Sequence, residues 1–93
     1  AIDFSWNAER IRNHVRGLSP YPTAWISQMP NDHPLADILK GAKVYKASIA
    51  HSPLQKGHII VPCADGYVDL QELQLPGKKR MDAASLLNGL KNK

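Results

Sequence analysis

Cysteine is almost absent from this chain of 93 residues, and Cys63 is its single thiol. A lone cysteine excludes an internal disulfide and any zinc site built from several cysteines. Unpaired thiols are typical of reducing compartments, which favours a cytoplasmic location. Long apolar runs are also lacking, because the longest, residues 59–61, is far too short to cross a bilayer. The first six residues lack the basic start and apolar core of a secretory signal, so we expect a cytoplasmic protein with no membrane partner.

Acidic residues are the scarcer charge, with 8 Asp and Glu against 12 Lys and Arg, for a net charge of +4. The excess lies in one half of the chain. Residues 1–39 hold three basic and four acidic side chains, whereas residues 40–93 hold nine and four. A cationic half favours phosphate-bearing partners or anionic surfaces, and the alternative is a soluble domain with a lysine-rich surface. The length predicts one small domain spanning residues 1–93.

The first organised element is a helix that begins near Ser5 or Asn7, which are both suitable N-caps. Its apolar residues recur at the spacing of one buried helical stripe. The stripe consists of Ala8, Ile11, Val15 and Leu18. Gly17 is the expected left-handed residue at the end of the helix.

The segment after the helix, residues 18–25, holds two prolines and is expected to be extended and stiff. Tyr21 and Trp25 flank it, and aromatic side chains beside a basic surface can stack nucleobases. Small domains use such residues to complete a thin core, and we expect that role for Trp25. Residues 28–41 are polar and proline-rich at their start and predict a loop.

The second half predicts strands joined by a tight turn at Asp65-Gly66. The predicted strands are residues 43–49, residues 58–61 and a segment that begins at Tyr67. In the last of these the apolar register shifts by one residue near Gln71-Glu72, which indicates a β-bulge and a bent strand.

A short closing helix capped by Asp82 ends the chain. Its expected apolar face consists of Ala83, Leu86, Leu87 and Leu90. The order of helix, strands and helix predicts a small α+β, mainly β, barrel-like domain.

No catalytic or metal-binding pattern stands out. His51, His58 and Cys63 follow none of the compact spacings of zinc sites. Cys63 lies in an apolar strand before a turn, so we expect a small buried hydrophobic residue rather than a nucleophile. There is no nucleophile elbow, no glycine-rich phosphate loop and no recurring carboxylate pair. The sequence therefore predicts no catalytic residue, metal site or cofactor site in this chain.

The feature that points to a binding function is the loop Lys78-Lys79-Arg80 after Pro76-Gly77. Three adjacent cations repel one another, and an anionic partner would relieve that repulsion. The alternative is a charge run that is simply solvated.

Further cations could extend this basic loop. Arg12 and Arg16 lie four residues apart and share one helical face, with two solvated arginines as the alternative. In a regular strand Lys43 and Lys46 would face opposite sides, which would limit the size of a basic patch.

In combination, these segments resemble the formyltransferase C-terminal domain family, in particular the C-terminal domain of bacterial methionyl-tRNA formyltransferase. The matching stretches are residues 2–5, residues 18–25 (LSPYPTAW), residues 43–48 (KVYKAS), Asp65-Gly66 and residues 73–81 (LQLPGKKRM). Their order and spacing agree with the family over nearly the whole chain.

The resemblance implies a small open β-barrel of the oligonucleotide-binding type with N- and C-terminal helices. Family members usually have two strands between the Lys-Ala-Ser strand and the Asp-Gly turn, whereas residues 59–61 form a single run here, so the barrel is expected to be about one strand short.

The resemblance also implies a function in translation initiation. In the family this domain follows a catalytic domain that transfers a formyl group from 10-formyltetrahydrofolate to initiator methionyl-tRNA. The C-terminal domain contacts the tRNA through positive charge and helps to orient it. That role falls on Lys78, Lys79 and Arg80, and then on Lys43, Arg12 and Arg16. The expected partners are initiator tRNA, bound weakly, and the catalytic domain, whose residues have no counterpart in this chain.

A second hypothesis is a protein-docking or dimerisation module, because related barrels are the C-terminal domains of formyltransferases that act on nucleotide-linked sugars. An apolar patch of Phe4, Trp6 and Tyr21 would then supply the contact.

Overall fold

The structure is a computed structural model that describes residues 1–18, 23–30, 33–53 and 55–91. Three helices and five strands lie in these residues. In chain order they are α1 (Ala8–Leu18), β1 (Ala24–Trp25), α2 (Ala36–Leu39), β2 (Lys43–Ala50), β3 (Ile59–Cys63), β4 (Gly66–Gln74), β5 (Met81–Asp82) and α3 (Ala83–Lys91).

The strands form one antiparallel sheet in the order β1-β2-β4-β3, with β5 also paired to β4. The Asp65-Gly66 signal marks the β3–β4 hairpin, in which Cys63 pairs with Gly66 across a two-residue turn. A single strand, β3, lies between β2 and this turn among the described residues. The open sheet with a helix at each end confirms the predicted small barrel-like fold.

The predicted bulge is present where β2 meets β4. Val44 pairs with Leu73 and Ala47 pairs with Leu70, but the pair between them is displaced, which leaves Tyr45 and Gln71 without directly opposite partners. Bulges of this kind bend and twist a strand. Residues 66–70 of β4, on one side of the bulge, pair with β3, and residues 72–73, on the other side, pair with β5.

Helix α1 packs on β2 through the predicted stripe, with Ile11 and Val15 fully buried. Asn7 is the N-cap, and its side-chain oxygen accepts a hydrogen bond from the backbone N–H of Arg10 at 2.8 Å. Asp65 adds a second cap from the β3–β4 turn by accepting from the N–H of Ala8 at 2.9 Å. The predicted stop at Gly17 is wrong, because that residue is helical and has no positive φ.

Helix α3 begins as predicted, since Asp82 accepts a hydrogen bond from the N–H of Ser85 at 2.7 Å. This bond lowers the pKa of the Asp82 carboxyl. Ala83 and Leu86 are buried in the core, and the remaining two leucines of the face pack against it. The core thus extends from α1 through the inner face of the sheet to α3.

Two further local predictions are wrong. Trp25 is not in the core, because 46% of its surface is exposed. Residues 28–41 are not loop throughout, since α2 forms one helical turn among them. The ring of His33 stabilises this turn: its Nδ1 accepts from the N–H of Leu35 at 3.1 Å, so its Nε2 carries the proton and donates to the carbonyl of Ile60 at 2.8 Å. Tyr21 and most of the proline segment lie outside the described residues.

Within the described part of the chain, no helix has both the length and the hydropathy needed to cross a membrane.

Candidate nucleic-acid interface

Four cations from three separate parts of the chain line one open cleft of about 450 Å³. They are Arg12 and Arg16 of α1, Lys46 of β2, and Arg80. Glu72 is the only carboxylate among the described residues that line this cleft. The helical spacing of the two arginines and the packing of α1 on β2 bring them to the same place as Lys46.

The two arginines in the cleft differ in their surroundings. The guanidinium of Arg16 donates to the side-chain oxygen of Asn13 at 2.9 Å, which orients it along the helix surface. Arg12 is half-buried, and its Nε is enclosed without a hydrogen-bond partner in the structure. A buried donor that lacks a protein partner is costly unless another group satisfies it. Arg12 is therefore the residue of the cleft with an unmet demand for an acceptor.

Lys46 reaches this cleft because of the bulge. Strict alternation would place Lys46 on the same side as Val44, which is fully buried. The register shift at Tyr45 breaks the alternation, so that Ala47 packs against the core and Lys46 is exposed. Lys43 and Lys46 are both exposed on β2, but Lys43 does not line this cleft, so the expectation that one strand face does not present both lysines stays a prediction.

Arg80 is held in a defined position by two neighbours. Its Nε and one terminal nitrogen bond to the same carboxylate oxygen of Glu72, at 3.0 and 2.9 Å. Its guanidinium also stacks on Tyr45, 4.1 Å from the centre of the ring. Guanidinium groups stack on aromatic faces while their edges stay free to donate. The arrangement restrains one cation of the basic loop at the mouth of the cleft.

Gln74 connects the start of the basic loop to the sheet. Its side-chain oxygen accepts from the hydroxyl of Tyr45 at 2.7 Å, and its side-chain nitrogen donates to the carbonyl of Lys78 at 2.9 Å. The turn itself is closed by the N–H of Lys78, which donates to the carbonyl of Leu75 at 3.0 Å, and by Gly77 in the left-handed region at φ +74°.

Sequence reasoning missed Tyr45, Gln74 and Glu72 as residues that position the site. Their partners lie 4 to 35 positions away, and the register shift predicted near Gln71-Glu72 was the only local signal.

Lys43 lies on β2 directly before Val44, in the adjacent row of paired residues across the sheet. It pairs with Gln74 on one side and with Trp25 on the other. Lys79 is exposed between Lys78 and Arg80, and no contact joins its side chain to another described residue. We use the term basic band for the cations of this region. The basic band comprises Arg12, Arg16, Lys43, Lys46, Lys78, Lys79 and Arg80. Of the sequence-predicted binding residues, Arg12, Arg16 and Arg80 line the cleft and the structure adds Lys46, whereas Lys43, Lys78 and Lys79 do not line it.

The remaining candidate residues lie elsewhere. Cys63 is half-buried, and burial raises the pKa of its thiol, which disfavours the reactive thiolate. The Nδ1 of His58 lies 2.8 Å from the carboxylate of Asp69, a buried residue, whereas His51 is exposed. No three His, Cys, Asp or Glu side chains of the described residues form a group suited to a metal ion.

Two of the three residues of the apolar patch in the docking hypothesis lie among the described residues. Phe4 and Trp6 are half-buried and pack against the core. The ring of Trp6 is further covered by the guanidinium of Arg10 at 4.2 Å and meets the ring of His14 at 5.1 Å. Tyr21, the third member, lies outside the described residues.

Comparisons with known proteins agree on one family. Residues 1–91 match the family described as Formyl transferase, C-terminal domain. The methionyl-tRNA formyltransferase of Flavobacterium johnsoniae is 40% identical over 95 residues, a match that covers 96% of this chain and 30% of that protein. Methionyl-tRNA formyltransferases of Bacteroides fragilis and Rhizobium rhizogenes are 38% and 35% identical, and each match covers 95% of this chain. The chain thus spans about three tenths of the length of these relatives.

Proposed function

This chain belongs to the formyl transferase C-terminal domain family, and from that premise we propose that it is the tRNA-binding accessory domain of a methionyl-tRNA formyltransferase. Its role is to hold initiator methionyl-tRNA while a catalytic domain of the same enzyme transfers the formyl group. The formyl donor, 10-formyltetrahydrofolate, and the catalytic residues belong to that other domain. The chain itself contributes no catalytic residue and no cofactor site in this proposal.

The observation that carries the proposal is the convergence of Arg12, Arg16, Lys46 and Arg80 on one cleft that holds a single carboxylate. That carboxylate is bonded to Arg80, so the remaining three cations have no acidic partner within the cleft. Concentrated positive charge of this kind attracts the phosphate backbone and needs no base-specific contact. It suits a domain that orients a tRNA which other parts of the enzyme recognise.

The test is a titration of initiator tRNA into the chain over a range of salt concentrations. Two double variants lower the net charge equally: Arg12→Gln with Arg16→Gln, and Arg10→Gln with Lys56→Gln. Arg10 lies over Trp6 on another face of α1, and Lys56 lines a different cavity. If the cleft binds two phosphates through its arginines, the first variant lowers the slope of log affinity against log salt by about 1.8, and the second leaves it nearly unchanged.

Equal losses in the two double variants would attribute binding to the net charge alone and would contradict a specific interface. Replacing Lys78, Lys79 and Arg80 by alanine extends the test to the basic loop, and a large loss is expected there too. For the wild type and tRNA we expect a dissociation constant of roughly 10⁻⁴ to 10⁻⁶ M, which is the range of non-specific phosphate contacts. A salt-insensitive dimer that binds no tRNA would instead support the docking hypothesis.

A further inference from the structure

Trp25 is the most exposed large hydrophobic residue of the described chain, at 46%. Its ring makes no aromatic or cation–π contact with another described residue. Ile38 and Ile49 are also exposed, but they lie on α2 and at the far end of β2, so the three do not belong to one element. A lone exposed aliphatic residue needs no explanation, but an exposed tryptophan carries a large apolar area that usually has a partner.

The backbone around Trp25 is held on both sides, so its exposure does not come from a loose edge strand. Its carbonyl accepts a hydrogen bond from the N–H of Ile2 at 2.8 Å, and the next residue, Ile26, donates to the carbonyl of Ala42 at 2.9 Å. Thr23, two residues before it, is buried and has φ +76°, which is unfavourable for a β-branched residue. The fold therefore imposes the path of β1 and with it the position of the ring.

The register of the sheet places this ring beside the basic band. Ala24, Val44 and Leu73 form a fully buried row across β1, β2 and β4. The adjacent row is Trp25, Lys43 and Gln74, and it faces the other way because successive residues of a strand alternate. Directly opposed residues have Cβ atoms roughly 5 Å apart, so the side chains of Trp25 and Lys43 leave the sheet side by side. Gln74 in turn holds the carbonyl of Lys78.

We propose that Trp25 stacks on an unpaired RNA base while Lys43 binds the adjoining phosphate. This inference rests on the proposed function and adds to it a contact with an unstacked nucleotide. An aromatic face beside a cation is the combination that single-stranded nucleic acids recognise. A paired base inside a helix offers no free face, so the contact requires an unpaired end, loop or bulge of the RNA. The neighbouring lysine favours a phosphate-bearing partner over an apolar protein surface.

The experiment compares three RNA probes of equal length: a short single strand, its abasic counterpart and a duplex. Affinity for each is measured for the wild type, Trp25→Ala, Trp25→Phe and Lys43→Gln. Trp25→Ala should weaken binding to the base-bearing single strand by about 5- to 150-fold and leave the abasic strand and the salt slope unchanged. Trp25→Phe should keep most of the affinity, and Lys43→Gln should weaken all three probes and lower the single-strand slope by about 0.7.

A spectroscopic signal provides a second readout. In a Trp6→Phe background Trp25 is the sole tryptophan, so its fluorescence should be quenched by the base-bearing strand and not by the abasic one. Trp25→Ala is expected to fold, because the side chain is exposed, and a thermal melt checks this.

The inference is overturned if Trp25→Ala weakens binding to the abasic and base-bearing strands equally. It is overturned as well if Trp25→Ala weakens binding to neither strand. It is also overturned if the wild type self-associates and Trp25→Ala abolishes that association, which would make the ring a protein contact. Arg12→Gln with Arg16→Gln separates this failure from failure of the proposed function. If that variant loses tRNA binding while Trp25→Ala does not, the stacking contact fails and the proposed function stands. If no RNA binds in a salt-dependent way, both fail.

Discussion

Lys46 provides the sharpest single-residue test of the cationic cleft. It lines both the cleft of about 450 Å³ and a neighbouring one of about 590 Å³ that also contains Arg80. It is exposed and makes no ion pair with any described residue, so its charge is available to a partner. Lys56 is the matched control, because it is an exposed lysine that lines a different cavity. The perturbation is Lys46→Gln against Lys56→Gln.

The expected magnitude follows from counterion release. One phosphate contact on duplex RNA contributes about 0.9 to the slope of log affinity against log salt, and its contribution vanishes near 1 M salt. Losing the contact of Lys46 should therefore weaken tRNA binding about eightfold at 0.1 M salt and about threefold at 0.3 M. Lys56→Gln should change affinity less than twofold or so at either concentration, since surface charges beyond a Debye length are screened.

The assay is fluorescence anisotropy of labelled initiator tRNA at several salt concentrations, with thermal melts of each variant. Exposed substitutions of this kind change stability by less than about 0.5 kcal/mol, so loss of binding cannot be attributed to unfolding. Equal weakening by the two substitutions would refute the reasoning. So would a weakening by Lys46→Gln that does not depend on salt.

Three further predictions concern the groups around the site and the helix that supports it. Glu72→Gln should tighten tRNA binding about twofold at low salt, because it removes the one carboxylate among the described residues of the cleft. Weaker binding would instead mean that the ion pair by which Glu72 positions Arg80 matters more than its repulsion of phosphate. Asp65→Ala should lower the free energy of unfolding by about 1 kcal/mol and the Tm by about 4–8 °C in calorimetry, because it removes a cap of α1. Asp65→Asn keeps an oxygen that can accept the same hydrogen bond and should lose less stability. Equal losses in the two variants would contradict the capping role. Burial lowers the pKa of His14, so the unfolded state binds more protons and stability should fall as pH drops below about 6.5. Denaturant unfolding should be measured between about pH 7 and pH 5. The free energy of unfolding should fall less over this range in His14→Leu than in the wild type, and the exposed control His51→Leu should keep the fall.

Elements with a strong local pattern were predictable from the sequence. The apolar stripe of α1, the short strand-like runs of β2 and β3 and the Asp65-Gly66 turn all depend on residues a few positions apart. Even the irregularity in β4 was visible, because the apolar residues of that strand change register near Gln71-Glu72. Arg12, Arg16 and Arg80 of the candidate cleft were also identifiable, since charge can be read directly from the sequence.

Other features depended on residues far apart in the chain. Asp65 caps a helix 57 residues before it, and Arg80 stacks on a tyrosine 35 residues before it. Trp25 was misjudged because a two-residue strand has no periodicity from which to read its orientation. The exposure of Lys46 could not be read from regular alternation, because the pairing shifts in the segment that contains it.

The sequence by itself determined the helices, the principal strands, the hairpin and the supply of positive charge, because hydrogen bonding and apolar periodicity are local. Only the tertiary structure decided which cations share a cleft, which carboxylate lies among them and which aromatic ring faces outward. Those outcomes depend on the register between strands and on the packing of α1 across the sheet. Register and packing are settled by the burial of the core as a whole, and no short segment of the chain carries that information.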